Sequence, residues 1–239
     1  SLLQKMILRL YRFALEDARV VFFQNESNLN FLLEKGTLSG RHKVIPGSGV
    51  NLQLYKPAPY PKDGSVNFVF LARIMEEKGI EQFLDAAVAI RRENKNVLFH
   101  VCGEIEEGYR GKLAQCVASN DVIYHGLVHD TTKIYEMASC IVHPTYYPEG
   151  LSNVLLESCA SGRPIITTMR PGCAEVLEDG SNGYAVNERD SKDLINRIQL
   201  FLSLTVDERE AMGLRGRRKV EEEFDRQLVV DQYLSEIEV

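Results

Sequence analysis

The chain has little of what a membrane-spanning, disulfide-stapled or nucleic-acid-binding protein needs. Its charge-free stretch from Met137 to Pro148 is well short of the ~18 apolar residues of a spanning helix. The cysteines number only five, an odd count, and none forms a C-x-x-C pair, so we expect free thiols in a reduced, cytosolic compartment. Basic residues number 28 against 34 acidic ones, and the net charge of -6 argues against a general nucleic-acid binder.

The residues that are present describe a globular protein. The 239 residues are 44% hydrophobic and 26% charged, which excludes disorder and predicts one or two domains with a large core. The sequence opens at Ser1 inside a helical pattern, without a signal sequence, so we expect a fragment of a longer protein.

The first 45 residues have a pattern of their own. An amphipathic helix is predicted from an apolar face opposite a basic one, the apolar set being Leu3, Met6, Ile7, Leu10, Phe13 and Ala14 and the basic set Lys5, Arg9 and Arg12. We favour packing of the apolar face on a protein domain over contact with an anionic membrane. A strand over 20–24, a helix capped by Ser27 and ended by Gly36, and a strand over 43–45 follow. Because a proline-rich loop then runs over 47–64, we predict two parts, residues 1–45 and 46–239.

Beyond that loop, strands and helices alternate. The predicted strands cover 66–72, 97–102, 122–124, 140–143, 164–167 and 183–186, and the predicted helices cover 80–90, 109–118, 131–138, 152–161 and 174–178. The strands are unbroken apolar runs, which burial on both faces of a sheet requires. We therefore predict an α/β fold with a doubly wound, parallel, Rossmann-like sheet, followed by helices only over 190–238. The last helix has an apolar stripe that we assign to core or interdomain packing, formed by Val230, Tyr233, Leu234 and Ile237.

Ligands of such a sheet bind beyond the carboxyl ends of its strands. Arg73 follows the strand over 66–72, and Lys78 precedes Gly79 where the next helix starts. Two cations beside a positive helix end suit a phosphate or diphosphate, and a solvated charged loop is the alternative. The segment that begins at Gly47 does not continue as G-x-G-x-x-G, because position 52 is Leu, so we reject a NAD site.

The segment after the strand over 140–143 is the densest in chemistry. His143 ends that strand, where a catalytic histidine and a strand-end histidine satisfied by the backbone are equally compatible with the sequence. Glu149 stands in the following loop, Ser152 is placed to cap the next helix, and Glu157 lies on that helix with its carboxylate leaning back toward the loop. Carboxylates accept hydrogen bonds from the hydroxyls of ribose or another sugar. By spacing alone, however, the two glutamates are better explained as surface charge.

Taken together, these motifs resemble those of a known family. Retaining glycosyltransferases of family 4 have a similar order and spacing of Arg73, Lys78-Gly79, Glu149-Gly150 with Glu157 (E-x7-E), Ser161-Gly162-Arg163-Pro164, Gly172 with Glu175, Asp179-Gly180 and Asn182-Gly183. The resemblance covers residues 45–186, and Val20–Pro46 is similar to the family's interdomain region. It implies the GT-B architecture, in which two Rossmann-like domains face each other across a cleft. This chain would be the C-terminal half of that pair.

The resemblance also implies a role for each site residue. The residues expected to bind the nucleotide sugar, a UDP- or GDP-sugar, are Arg73, Lys78, Gly103, Val128, Leu151, Ser152 and Glu157. Of these, Arg73 and Lys78 would hold the diphosphate together with the amides of residues 151 and 152. Glu157 would bind the ribose, and the glycine and valine would lie beside the base. Glu149 would contact the transferred sugar and is the expected catalytic residue.

The expected partners follow from the same resemblance. The sequence has no D-x-D triplet, so we expect no metal and no other cofactor. The acceptor, a glycan or a lipid-linked molecule, would bind the missing N-terminal domain, so this fragment would bind the donor without transferring the sugar. The complete enzyme would act in the cytoplasm, with possible peripheral attachment to the membrane, in polysaccharide or glycoconjugate biosynthesis. A GT-B sugar-nucleotide epimerase and a non-catalytic interaction module are the alternatives. Nucleotide binding distinguishes the interaction module from the transferase and the epimerase.

Overall fold

The structure is a computed structural model that describes residues 2–237. The helices are α1 Leu2–Leu15, α2 Glu26–Glu34, α3 Ile80–Glu93, α4 Arg110–Ala118, α5 Thr132–Met137, α6 Asn153–Ala160, α7 Ser191–Ser203, α8 Val206–Glu223 and α9 Arg226–Ile237. The strands are β1 Val21–Phe23, β2 His42–Val44, β3 Val66–Leu71, β4 Val97–Cys102, β5 Ile123–Tyr124, β6 Cys140–His143, β7 Ile165–Thr168 and β8 Gly183–Val186. Short 3-10 turns, Glu76–Lys78 and Glu107–Tyr109, precede α3 and α4.

The strands form two parallel sheets. β1 pairs with β2, and the six others form one sheet in the order β5-β4-β3-β6-β7-β8. Counted from β3, this is the 3-2-1-4-5-6 order of the doubly wound dinucleotide-binding fold. The predicted α/β fold, with a parallel Rossmann-like sheet and extra C-terminal helices, is therefore confirmed. The order reverses between β3 and β6, and such a reversal creates a crevice at the carboxyl ends of the two strands.

The central strand shows why the sequence has unbroken apolar runs. Phe68 and Phe70 of β3 belong to the core cluster shared with α3 and α7. Val69 and Leu71 belong to the cluster on the opposite face, shared with α5 and α6. Successive side chains of a strand point to opposite faces, so a strand buried on both faces is apolar at most positions; Asn67 of β3 is buried and hydrogen-bonded.

Two local predictions are wrong. The helix predicted over 174–178 is absent, because residues 171–176 form turns in which the Gly172 N–H donates to the Glu175 carboxylate at 2.7 Å. The backbone bonds from the Ala174 N–H to Arg170 and from the Leu177 N–H to Cys173 form separate turns that do not continue into a helix. The cap of α2 is Asn25 rather than Ser27, since the Asn25 Oδ1 accepts the Asn28 N–H at 2.8 Å. By contrast, β4, β6 and β8 have the predicted bounds.

The apolar faces of α1 and α9 lie largely on the surface. α1 has no buried residue among those described, and Phe13 is 79% exposed, so its apolar face is largely exposed, although Leu3 and Ile7 line a cavity together with Phe31 and Leu32 of α2. In α9, Val230 and Tyr233 are exposed, whereas Val229 and Glu236 are buried. Of the two alternatives for the α9 stripe, packing in the core is therefore wrong, whereas Tyr233 contacts Phe22 of the predicted interdomain segment, with ring centroids 4.5 Å apart. Residue 238, the last of the predicted helical tail, lies outside the described residues.

The last helix returns to the small sheet. Glu236 of α9 lies 2.5 Å from the Lys43 Nζ and 3.1 Å from the Arg41 Nη2, both next to or within β2. Near the start of α9, Val50 and Asp225 form an isolated parallel bridge. The division into residues 1–45 and 46–239 stays a prediction. In the described part of the chain, no helix combines the length and the apolar character needed to cross a bilayer.

Candidate active site

The loops after β3 and β6 bring the predicted polar residues to one edge of the sheet. β3 and β6 are paired in parallel through Phe68 with Cys140 and Val69 with Ile141, so their carboxyl ends are neighbours. The loops are also tied to each other, because the N–H groups of Tyr146 and Tyr147 both donate to the carbonyl of residue 77, at 2.8 and 2.9 Å. The chain order thus places residues 73–78 beside residues 144–152.

Lys78 and Glu149 form an ion pair in this crevice. Their side chains are only 14% and 16% exposed, and the Lys78 Nζ also lies 4.7 Å from the centre of the Tyr147 ring. The approach depends on Gly79, which has φ +79° and whose Cβ, if it had one, would lie 2.3 Å from the Pro144 carbonyl oxygen. The turn that carries Lys78 can therefore pack directly on the loop that leads to Glu149.

His143 lies beneath this pair. It is 2% exposed, its Nε2 is 3.7 Å from the Glu149 Oε1, and neither ring nitrogen has a hydrogen-bond partner among the described residues. The alternative of a strand-end histidine satisfied by the backbone is therefore wrong. Burial lowers the pKa of His143, so the ring is neutral at neutral pH.

Glu149 is held in its ionised form. Burial opposes ionisation, but the nearby His143 and Lys78 outweigh it and lower the pKa of Glu149 to about 2. At 3.7 Å the histidine is beyond hydrogen-bonding distance, so the contact with the ammonium group is the close one. An ionised carboxylate accepts hydrogen bonds and has no proton to donate.

Arg73 lies at the rim of the crevice. Its side chain is 52% exposed, and its closest acidic neighbour is Glu106, with 4.0 Å between Nη1 and Oε1. The structure therefore places Arg73 on the same loop as Lys78 but outside the buried pair. An exposed guanidinium of this kind is free to turn toward an anionic ligand.

Gly103 and Val128 border the neighbouring part of the sheet edge. Gly103 has φ +140°, and a Cβ there would lie 1.9 Å from the Ala72 carbonyl oxygen, so only glycine fits. Its N–H donates to Gly126 at 2.8 Å, and its carbonyl accepts from the Tyr124 hydroxyl at 3.0 Å. Val128 is partly buried against the cluster of β3 and α6. Both residues thus lie at or beside the loop after β5, and their contact with a base stays a prediction.

The start of α6 differs in detail from the prediction. Ser152 occupies the N-cap position, but its side chain makes no capping bond, and its N–H donates to the Gly172 carbonyl at 2.8 Å. The Ser152 amide is thus already engaged, and a phosphate would have to displace that bond. The Leu151 N–H meets no acceptor within residues 2–237, while the Leu151 side chain is buried in the core. Of the two amides, Leu151 is the better anion donor.

Glu157 has a partner that the sequence did not reveal. The hydroxyl of Tyr135, a fully buried residue of α5, donates to the Glu157 Oε2 at 2.8 Å. Burial raises the pKa of Glu157, against the lowering effect of Tyr135, Tyr55 and Arg226. The carboxylate borders a cavity of about 60 Å³ that reaches Arg226. The contact joins residues 22 positions apart on different helices, so no local sequence signal could have indicated it.

Other motif residues support the site from within the fold. Arg163 is 1% exposed and donates to four carbonyls, those of Tyr135, Ala58, Pro59 and Glu136, at 2.7 to 3.0 Å. Gly172 packs so closely that a Cβ there would lie 2.6 Å from the Glu149 Cβ. These residues fix the loops and do not themselves present groups to a ligand. No group of three or more His, Cys, Asp or Glu side chains within residues 2–237 could hold a metal ion.

Comparisons with known proteins agree with this geometry. The model of a family described as "Glycosyl transferases group 1" matches residues 55–219. The chain is 24% identical, over 98% of its length, to the N,N'-diacetylbacillosaminyl-diphospho-undecaprenol alpha-1,3-N-acetylgalactosaminyltransferase of Campylobacter jejuni and covers 64% of that protein. It is 29% identical, over 68% of its length, to the capsular polysaccharide biosynthesis glycosyltransferase CapM of Staphylococcus aureus and covers 44% of it.

A solved structure shows the same fold. Anabaena Alr3699/HepE, crystallised in complex with UDP and glucose, superposes with a TM-score of 0.81 at 20% identity, over 97% of this chain and 66% of that one. The chain therefore spans less than two thirds of the length of the relatives named here.

Proposed function

The chain belongs to the group 1 glycosyl transferases, which have the GT-B fold, and we propose that it is the donor-binding half of a retaining, family 4 enzyme. The observation that carries this proposal is the meeting of Lys78 and Glu149 at the crevice between β3 and β6. One cation and one ionised carboxylate lie side by side there. The cation suits the diphosphate of a nucleotide sugar, and the carboxylate suits the hydroxyls of the attached sugar.

The diphosphate of the donor binds to the cationic side of the site. Lys78 and Arg73 supply the charges, and the Leu151 N–H at the start of α6 adds a backbone donor. In this structure the Lys78 ammonium contacts Glu149, so a bound phosphate shares that ammonium with the carboxylate. These groups neutralise the diphosphate without a metal ion. They also stabilise the nucleoside diphosphate as it leaves, which is where negative charge develops during transfer.

Glu149 orients the transferred sugar. Because its pKa is about 2, it acts as an acceptor of sugar hydroxyl hydrogen bonds and not as a proton donor. During transfer, the bond between the sugar C1 and the phosphate oxygen breaks and a bond from C1 to the acceptor oxygen forms. The acceptor proton leaves with the nucleoside diphosphate. A carboxylate fixed beside the sugar contributes by holding it in the reactive orientation.

The nucleoside part lies along the rest of the sheet edge. Glu157 accepts hydrogen bonds from the ribose hydroxyls and is itself oriented by Tyr135. Gly103 and Val128 flank the base. Structural relatives crystallised with UDP, such as Anabaena Alr3699/HepE, support UDP as the first nucleotide to test and GDP as the second.

The acceptor and its binding site belong to the complete enzyme. The name of the C. jejuni relative includes a polyprenol-linked acceptor, and that of CapM includes a capsular polysaccharide pathway. We therefore assign the acceptor to the glycans or lipid-linked sugars of polysaccharide biosynthesis at the cytoplasmic face of a membrane. Because the chain spans 64% of the C. jejuni relative, we expect it to bind the donor and not to transfer the sugar alone.

A ligand panel tests this function. UDP, GDP, ADP and their sugars are added to the chain at millimolar concentration, with and without EDTA, and the melting temperature is followed. A ligand that binds only the folded state stabilises it by RT ln(1 + [L]/Kd), so one nucleotide series should raise the melting temperature, and EDTA should not abolish the rise. Lys78→Ala should reduce the shift, while Arg92→Ala, at an exposed position of α3, should not. If no nucleotide raised the melting temperature, the donor-binding function would be excluded and a non-catalytic interaction module would be the remaining hypothesis.

A further inference from the structure

Asn25 is a residue outside the matched family segment that reaches the candidate active site. It follows β1, caps α2 and is only 2% exposed. An asparagine side chain offers one carbonyl oxygen and two N–H groups. The oxygen accepts the Asn28 N–H at 2.8 Å, and the amide nitrogen donates to the carbonyls of Gly150 at 2.6 Å and Glu149 at 3.2 Å. The side-chain oxygen of Asn25 therefore caps α2, and its side-chain N–H groups bind the loop after β6.

The turn at Glu149 and Gly150 is enclosed from two sides. A Cβ on Gly150 would lie 1.9 Å from the Gln24 Oε1, next to Asn25, and a Cβ on Gly172 would lie 2.6 Å from the Glu149 Cβ. Within residues 2–237, the hydrogen bonds that the Glu149 and Gly150 carbonyls accept both come from Asn25. The direction of this turn thus depends on one side chain of the β1–α2 junction.

We propose that Asn25 is a positioning residue for Glu149, acting through the two carbonyls of the turn that carries it. The inference rests on the proposed function, in which the Glu149 carboxylate binds the transferred sugar. Because the carboxylate lies on that turn, a shift of the turn moves it relative to the sugar C1, and a displacement of about 1 Å in a reacting group costs on the order of 100-fold in rate. The β1–α2 junction, assigned to the interdomain part, is in this way coupled to the sugar subsite.

Asn25→Asp separates the helix-capping bond of the side-chain oxygen from the bonds that the side-chain N–H groups donate to the turn. Aspartate is an equally good N-cap, so the bond from the Asn28 N–H and the helix are kept. It has no N–H, however, and it presents a negative oxygen to two carbonyl oxygens, so the turn must move. Asn25→Ser is the second variant, since serine also caps a helix but has a short side chain with one O–H donor and no N–H, so it does not replace the two bonds to the turn. Asp190→Asn, the same exchange in reverse at the N-cap of α7, is the matched control.

The readout is a ratio of two affinities measured by calorimetry on the full chain. The probes are UDP-glucose and UDP, or GDP-mannose and GDP if the ligand panel favours guanine. We expect Asn25→Asp and Asn25→Ser to lower the ratio of sugar-nucleotide affinity to nucleoside-diphosphate affinity about 10-fold. The affinity for the diphosphate should fall less, because the Leu151 N–H moves with the Gly150 carbonyl in one peptide group while Lys78 and Arg73 stay in place. Asp190→Asn should leave both affinities unchanged.

Glu149→Gln distinguishes this inference from the proposed function. If Glu149→Gln lowers the ratio and the folded Asn25 variants do not, Asn25 is a helix cap alone, and the inference is overturned while the proposed function stands. If Glu149→Gln leaves the ratio unchanged, the assignment of Glu149 to the sugar fails, and the inference fails with it. If both lower the ratio, the double variant should lose little more than either single one, because both act on the same carboxylate.

Discussion

The ammonium group of Lys78 contacts a carboxylate oxygen of Glu149, and both side chains are largely withdrawn from water. The two residues lie 71 positions apart, on loops that follow different strands. Removal of either one leaves the other charge in a poorly solvated position, which is costly. The same pair joins the proposed phosphate subsite to the proposed sugar subsite, so its substitution should affect stability and ligand affinity in separable ways.

A double-mutant cycle measures the stability of this pair. Lys78→Met and Glu149→Gln should each lower the free energy of unfolding by about 1 to 3 kcal/mol, because each leaves a partner unpaired. The double variant should lose less than the sum, since no uncompensated charge remains. Urea unfolding without ligand gives the three values. Strictly additive losses would mean that the two charges do not interact in solution.

Removal of a phosphate-binding cation should discriminate between ligands. Arg73→Ala and Lys78→Ala should each weaken the binding of UDP by about 1.5 to 3 kcal/mol, because each removes a charge-assisted contact. The affinity for uridine should be almost unaffected. Arg73 is half-exposed, so its substitution should barely change the melting temperature of the chain without ligand. Calorimetry with the nucleoside and the diphosphate checks both. An equal loss for the two ligands would mean that the cations act through the fold.

A histidine pair, with His100 buried and His125 exposed, should make the protein sensitive to acid. His100 Nδ1 lies 2.9 Å from His125 Nε2, and His100 Nε2 lies 3.2 Å from the Asn67 Oδ1. Two neutral rings can each donate one hydrogen bond here, but a second proton would set two N–H groups against each other. Burial, together with His125, lowers the pKa of His100 from 6.5 to about 4.

The sign of the effect follows from this lowered pKa. The unfolded chain takes up a proton on His100 below about pH 6.5, whereas the folded chain does so only near pH 4, so stability falls as the pH falls between these values. The loss contributed by His100 should be on the order of 3 kcal/mol at most. Urea unfolding from pH 7 to pH 4 measures it, with His100→Gln as the variant whose pH dependence should be shallower. Parallel curves for wild type and variant would exclude this residue as the source.

The sheet was predictable because each strand is indicated by residues that are adjacent in the sequence. The strands β4, β6 and β8 are short apolar runs between turn-forming segments, and each has the predicted bounds. Alternation with helices then fixes a parallel sheet, and burial on both faces follows from the lack of polar positions. The turns over 171–176 were predicted as a helix because they share its local spacing: the N–H groups of Ala174 and Leu177 bond four residues back, but these bonds do not continue into a regular helix.

The contacts that orient the site residues were not predictable in this way. The sequence indicates Lys78 as a candidate because it follows a buried strand, at the edge of a parallel sheet where ligands bind. Glu149 and Glu157 are candidates only through the resemblance of their motif to a known family. It does not indicate that Tyr135 supports Glu157 or that Asn25 supports the turn at 149–150. Each of these bonds depends on the register between distant elements, which spacing along one chain does not encode.

Arg163 should be needed for folding and not for ligand binding. Its guanidinium is almost fully buried and donates to four carbonyls from two segments, 58–59 and 135–136, so Arg163→Lys leaves several of them without a donor. We expect a loss of at least about 3 kcal/mol in the free energy of unfolding. Arg92→Lys, at an exposed position, is the control and should change it by less than about 0.5 kcal/mol. A loss of affinity for UDP in Arg163→Lys with unchanged stability would contradict a structural role.

Glu157→Gln tests the ribose assignment. The amide keeps one acceptor oxygen, which suffices for the Tyr135 hydroxyl, so the free energy of unfolding should hardly change. The ribose loses a charged acceptor, and the affinity for UDP should fall by about 1.5 to 3 kcal/mol. Affinity for 2'-deoxy-UDP should fall less, because that ligand already lacks one hydroxyl. Tyr135→Phe is the companion variant, because it removes the hydroxyl that orients Glu157 and keeps the carboxylate. It should lower the affinity for UDP less than Glu157→Gln does. If Glu157→Gln binds both nucleotides as wild type does, the carboxylate is a structural partner of Tyr135 and the ribose is held elsewhere.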